Sequence, residues 1–259
     1  MAKRIADTVM VTGANRGIGL ALVKLMATAQ SPPLIIVATA RDPEKAQELK
    51  KLAESCKGKT AIHPMKLAVD DPRSIEEAAK KVAQIVGDKG LNLLINNAGM
   101  LDPTKFGSLT FDGMMASYKT NTIGPVIISQ AFHPLLKKAA EAKAAEPMGS
   151  SKAAIVMMST GVASIADNGS GNVLVYRCSK TALNMAGRTL AHDLKADKIL
   201  VANIMPGYVA TEMTARDGKH GPGAITAEES AGHMLKTIAG FTEGSNGGFY
   251  RYTGENFPW

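Results

Sequence analysis

Only two cysteines, Cys56 and Cys178, occur in 259 residues. They are too few for a disulfide framework and match no metal-ligand spacing, so a reducing compartment, the cytoplasm, is expected. The five histidines (His63, His133, His192, His220 and His233) are scattered without ligand spacing, and no metal is expected. No apolar run approaches the roughly 20 residues that a bilayer-spanning helix needs. Met1–Met10 passes directly into a strand pattern, without the basic stretch and apolar run of a secretory leader. Aromatic residues make up 5% of the chain, with a single tryptophan, so a core must come from aliphatics and alanine. Such a core suits helices laid on a parallel sheet.

The formal charge of +7 raises a nucleic-acid role. Its distribution argues against one, because no basic patch is interleaved with aromatics. The lysine-rich stretches Glu44–Lys59 and Lys137–Glu146 alternate with glutamate and alanine at helical spacing, the pattern of solvated helix faces. An anionic cofactor is the better use for one or two of these charges.

What the chain does have is alternation. Apolar runs predict strands at Thr8–Thr12, Leu34–Ala40, Ala61–Val69, Leu91–Asn96, Ala153–Ser159, Leu200–Met205 and Gly248–Tyr252. Helical patterns fall between them at Gly19–Ala29, Pro43–Glu54, Pro72–Val86, Phe111–Ala145, Tyr176–Lys195 and Ala227–Ala239. Asp71 before Pro72 reads as an N-cap with proline at the first helical position, and Thr226 with Glu229 as a capping box. Phe111–Ala145 contains Gly124, Pro125 and Pro134, which predicts two helices or one kinked helix. Glu146–Lys152 reads as a surface loop, and no composition break marks a second domain. The expectation is an α/β fold: one Rossmann-type, doubly wound parallel sheet of about seven strands over residues 1–259, with helices on both faces.

Strand one runs into Gly13-Ala14-Asn15-Arg16-Gly17-Ile18-Gly19, directly before a helix. Glycines there let the backbone turn tightly and approach a pyrophosphate, which sits on the positive end of the helix dipole. A tight turn without a ligand is the plain alternative, and the position at the first strand-to-helix switch counts against it. Strand two ends Thr39-Ala40-Arg41, with no carboxylate where an NAD site places one for the ribose 2′-hydroxyl. A guanidinium suits a 2′-phosphate, and Arg16 can approach the same group, so NADP(H) is the expected cofactor. The alternative for Arg41 is a solvated cation paired with Asp42.

Further motifs follow in order: Asn96-Asn97-Ala98-Gly99, Asn121, Tyr176-Arg177-Cys178-Ser179-Lys180 and Pro206-Gly207-Tyr208-Val209-Ala210-Thr211. With the glycine turn, they make the chain resemble the classical short-chain dehydrogenase/reductase family from Thr8 almost to Trp259. Tyr176-Arg177-Cys178-Ser179-Lys180-Thr181-Ala182-Leu183-Asn184 and Gly247-Gly248-Phe249-Tyr250-Arg251-Tyr252 with Pro258-Trp259 most resemble its sniffer-type carbonyl reductases.

Apart from the resemblance, residues four apart on a helix share a face, so Lys180 can stand beside Tyr176. A phenol ionises near pH 10, and a neighbouring ammonium favours the phenolate. The resemblance implies that Tyr176 passes a proton to a carbonyl oxygen and that Lys180 also holds the nicotinamide ribose. It implies that the Asn121 side chain helps to hold a proton-relay water. The family's catalytic serine corresponds to Thr160 here, and Ser159 and Ser164 are alternatives. Cofactor contacts are implied for Gly13, Asn15, Arg16, Gly17, Ile18, Gly19, Arg41, Val69, Asn97, Ala98, Gly99, Tyr176, Lys180, Pro206, Gly207, Val209 and Thr211.

Ala68 stands where the family commonly has an adenine-contacting aspartate, which leaves that contact to Asp70 or to the Val69 backbone. Specificity is expected in Asn168–Val175 and in a mobile lid, Glu212–Ile225. Met100 and Met213 are candidate pocket residues, and Cys178 is read as a small buried hydrophobe. The expected activity is NADPH-dependent reduction of a small ketone or aldehyde. A cofactor sensor with little turnover and an NAD-dependent alcohol dehydrogenase are the alternatives. No nucleic-acid or membrane partner is expected. The resemblance allows a homodimer through the helices around Asn121 and Tyr176.

Overall fold

Seven short runs of aliphatic residues form the strands of one sheet in the computed structural model, which describes residues 4–215 and 217–259. They are β1 Thr8–Val11, β2 Ile35–Ala40, β3 Ala61–Lys66, β4 Leu93–Asn96, β5 Ala154–Met158, β6 Leu200–Met205 and β7 Phe249–Arg251. Every pairing is parallel, in the order β3-β2-β1-β4-β5-β6-β7. The order reverses between β1 and β4, and such a switch point opens a crevice beyond the carboxyl ends of the strands.

Side chains alternate across a strand, so each face of the sheet carries its own core. Val9 and Val11 of β1, with Val156 and Met158 of β5, pack with α1 (Gly17–Thr28), α2 (Gln47–Ser55) and α7 (Ala227–Ala239). Met10, Ile155 and Met157 point the other way, onto α3 (Pro72–Val86), α5 (Gly124–Ala142) and α6 (Leu174–Asp193). The inner strands β1, β4, β5 and β6 are buried on both faces, as their continuous apolar runs require.

The Asp71 side chain accepts the Arg73 N–H at 3.0 Å, and Thr226 Oγ1 accepts the Glu229 N–H at 3.0 Å, so both helix starts lie where the sequence placed them. β3 ends three residues earlier than expected, and Pro64 is tolerated because β3 is an edge strand. The Phe111–Ala145 stretch divides into α4 (Phe111–Tyr118) and α5, joined by a π turn over Lys119–Ile123. Pro125 sits in the first turn of α5, directly after the π turn, and α5 continues through Pro134. One sequence reading is corrected: Cys178 is exposed, because it lies on the side of α6 turned away from the sheet, and Cys56 is the buried thiol. Among the described residues no helix is long and apolar enough to cross a membrane. Residues 1–3 of the leading segment and Arg216 of the lid segment lie outside the described residues.

Candidate active site

A cleft of about 1290 Å³ lies beyond the carboxyl ends of the strands. The glycine turn after β1 forms one end. Gly13 has φ +65°, and a Cβ there would stand 3.0 Å from the Ala98 Cα. A Cβ on Gly19 would lie 2.2 Å from the Gly13 carbonyl oxygen and 2.6 Å from the Asn97 amide nitrogen, so only glycine fits. The Asn97 side chain donates to the carbonyls of Thr12 (2.9 Å) and Gly13 (3.1 Å). Thr12 Oγ1 accepts the N–H groups of Asn97 and Ala98, each at 3.0 Å. The end of β4 thus fixes the turn that leads into α1.

Arg16 and Arg41 flank this end, with Lys45, which sequence reasoning did not single out. Lys45 entered no motif, and only the turn after β2 brings it to the cleft. Arg16 pairs with Glu212 across the mouth. Asp42 faces Lys45 at 3.2 Å, and among the described residues no carboxylate lies within 4.0 Å of Arg41. Leu67, Val69 and Asp70 line the cleft beside them.

The other end is chemical. Tyr176 and Lys180 lie on one face of α6, both buried, at 9% and 3% exposure. Burial pushes the Tyr176 phenol up to about 12, partly offset by the Thr160 side chain. Burial pushes the Lys180 ammonium down to about 8, and its Nζ donates to the Met158 carbonyl at 2.8 Å. Desolvation thus dominates both groups, and it opposes the phenolate-favouring pull that the sequence attributes to Lys180. A Cβ on Gly99 would reach 3.5 Å from Lys180 Nζ and 3.2 Å from Asn121 Oδ1, so this glycine keeps the space in front of the ammonium open.

Three hydroxyl candidates followed β5 in the sequence. Ser159 Oγ donates to Asn184 Oδ1 at 2.6 Å, and Ser164 Oγ accepts the Asp167 N–H at 3.0 Å. Thr160 is the one of the three whose side chain lowers the Tyr176 phenol, against the larger effect of burial. Asn121 lies fully buried in the π turn. Its Oδ1 accepts the Met100 N–H (2.9 Å), and its Nδ2 donates to Met100 O (2.8 Å), Ser179 Oγ (3.0 Å) and Ser117 Oγ (3.2 Å). The side chain is therefore fully engaged by protein groups.

All the cofactor-contact residues read from sequence, and Thr160, line this one cleft; Asn121 does not, although its neighbour Thr120 does. Val162, Asp167, Tyr208, Arg251, Tyr252 and Phe257 also line it and were not foreseen as pocket residues. The apolar character of Phe257 gave no sign that the fold returns it to the Thr160–Gly161 turn, where a Cβ on Gly161 would come within 3.7 Å of its ring.

A family model described as short chain dehydrogenase matches residues 7–221. The chain belongs to the short-chain dehydrogenase family. It is 32% identical over 262 residues to an uncharacterised oxidoreductase of Schizosaccharomyces pombe, covering 96% of each chain. Among solved structures it resembles an NADPH-bound carbonyl reductase from chicken fatty liver, at 40% identity and TM-score 0.92 over 98% of this chain and 99% of that one. The carbonyl reductase Sniffer of D. melanogaster superposes with TM-score 0.91 at 34% identity, over 98% and 100% of the two chains. The seven-stranded parallel sheet is thus a short-chain dehydrogenase fold along its whole length.

Proposed function

We propose that the chain is an NADPH-dependent reductase of a small ketone or aldehyde. The observation that carries this reading is a buried phenol beside Thr160, sharing a cleft with a glycine turn that leaves no room for a side chain at Gly19. The residues present fit the dinucleotide. Gly19 leaves no space for a side chain at the start of α1, and among the described residues no carboxylate pairs with Arg41 at the end of β2. Arg16, Arg41 and Lys45 would hold the 2′-phosphate, and the α1 N-terminus the pyrophosphate. The bound dinucleotide supplies hydride.

Tyr176 would donate its proton to the carbonyl oxygen, a task for which a raised pKa keeps the proton available. Thr160 would hydrogen-bond the same oxygen and hold the phenol in line. Lys180, with an ammonium largely retained at neutral pH, would stabilise the charge left on Tyr176. Asn121 would act through position, holding Met100 and the strand-four loop against α6.

Separate titrations of NADPH and NADH, followed by thermal stabilisation, and then an NADPH-driven panel of ketones and aldehydes test the reading. It predicts tighter binding of NADPH and its oxidation by at least one carbonyl class. Binding of neither cofactor, or binding without turnover of any carbonyl, contradicts it.

A further inference from the structure

Arg177 follows Tyr176 in the first turns of α6, and the helix has no acidic residue in its first turn. The positive end of a helix dipole disfavours a cation there. Among the described residues no carboxylate lies within 4.0 Å of its guanidinium, which instead grips four neutral oxygens. Nε donates to Gly171 O (2.8 Å) and Asn172 O (3.0 Å), Nη1 to Val162 O (3.0 Å), and Nη2 to Ser170 Oγ (2.9 Å). These acceptors belong to two separate stretches. Val162 lies in the turn just after Thr160, and residues 170–172 lie in the loop that leads to Tyr176. Val162 and Val173 both line the cleft.

The second stretch is strained. Gly171, Asn172 and Val173 have successive φ values of +61°, +61° and +41°. Glycine and asparagine adopt this left-handed region readily, whereas a β-branched valine does so only where its surroundings hold it. Val173 is also the N-cap position of α6 and makes no side-chain cap. The start of the helix that carries Tyr176 thus lacks ordinary local support. Arg177 reaches back over this turn and supplies it, and Thr181 Oγ1 adds a second tie one turn later, to Ala163 O at 2.8 Å.

We propose that Arg177 is a positioning residue that clamps the two walls of the substrate mouth, 160–163 and 170–173, and so sets affinity for the carbonyl substrate. The functional half rests on the carbonyl-reductase reading above; the clamp itself does not. A lysine at 177 keeps the charge but loses the planar fork that reaches several acceptors at once. Arg177→Ala and Arg177→Lys are therefore expected to raise KM for the carbonyl at least about tenfold. NADPH affinity should stay within about twofold, and the pH profile of kcat should not move. Glycine tolerates the left-handed turn unaided, so Arg177→Ala should raise KM at least about threefold less in a Val173→Gly background.

Amide hydrogen exchange tests the clamp without turnover. In Arg177→Ala it is expected to quicken about tenfold or more across 161–173, with the glycine turn at 12–19 unchanged. Unchanged exchange over 161–173 overturns the proposal, whatever the activity. An unchanged KM in an active variant overturns it, as does an equal loss of carbonyl affinity, NADPH affinity and melting temperature. If the wild-type chain reduces no carbonyl, the functional reading fails, and hydrogen exchange alone decides the clamp.

Discussion

Ser159 Oγ donates a 2.6 Å hydrogen bond to Asn184 Oδ1, so the serine hydroxyl is engaged by a buried amide. The next residue, Thr160, has the side chain that lowers the Tyr176 phenol, and we propose it as the catalytic hydroxyl. Thr160→Val keeps the shape and removes the hydroxyl, and steady-state kinetics are expected to show kcat lowered by about 10²-fold, the scale of losing one preorganised donor. Ser159→Ala is expected to change kcat by less than about fivefold. Because it leaves a buried Asn184 oxygen unpaired, it is expected to lower stability by about 1–3 kcal/mol in denaturant unfolding. The reverse order of the two kcat losses would reassign the hydroxyl to Ser159.

Cofactor choice is expected to turn on the end of β2. Arg41→Ala removes the cation there, and fluorescence titration should show NADPH binding weakened about tenfold or more with NADH little changed. Adding Ala40→Asp supplies the carboxylate that a ribose 2′-hydroxyl accepts and should move preference towards NADH. The NADPH effect of Arg41→Ala should shrink at high salt, since the contact is exposed. Equal effects on the two cofactors would place the 2′-phosphate elsewhere.

Lys180 gives activity and stability opposite demands. Its ammonium loses its proton at about 8 in the fold, against 10.5 for the ordinary group. As pH rises through about 8, the charge that stabilises ionised Tyr176 disappears, so kcat for reduction is expected to fall. Stability moves the other way. Between about pH 8 and 10.5 the unfolded chain binds a proton that the fold has released, so the contribution of Lys180 to stability becomes more favourable as pH rises through that window. Above about pH 10 the raised Tyr176 value opposes it, because an unfolded phenol ionises first. Lys180→Met is therefore expected to abolish most turnover while stabilising the cofactor-free protein at pH 7 by about 1–3 kcal/mol. Thermal unfolding across pH 6–10 for both proteins checks it; a destabilised methionine variant would contradict it.

Strands buried on both faces appear in sequence as continuous aliphatic runs between amphipathic helices, so the sheet was legible at the level of Val9–Val11 or Leu200–Met205. The glycine turn was legible because Gly19 excludes every side chain on local geometry. What did not show was set by long-range packing. The π turn around Asn121 and the return of Phe257 to Gly161 depend on contacts between distant segments. The exposure of Cys178 depends on which face of α6 meets the sheet, and two residues' separation from Tyr176 could not decide that. The bond from Ser159 to Asn184 joins residues 25 apart in sequence, and no local spacing shows it. The desolvation of Tyr176 also escaped the sequence, because helical spacing shows the nearby cation and not the burial that outweighs it.

The most direct test is Tyr176→Phe, measured for NADPH binding and for NADPH oxidation with a carbonyl that the wild type reduces. The account predicts NADPH affinity within about threefold of wild type and kcat lowered by at least about 10²–10⁴-fold, the range of a positioned acid. Turnover equal to that of the wild type would contradict it, because the proton would then have to come from a group other than Tyr176.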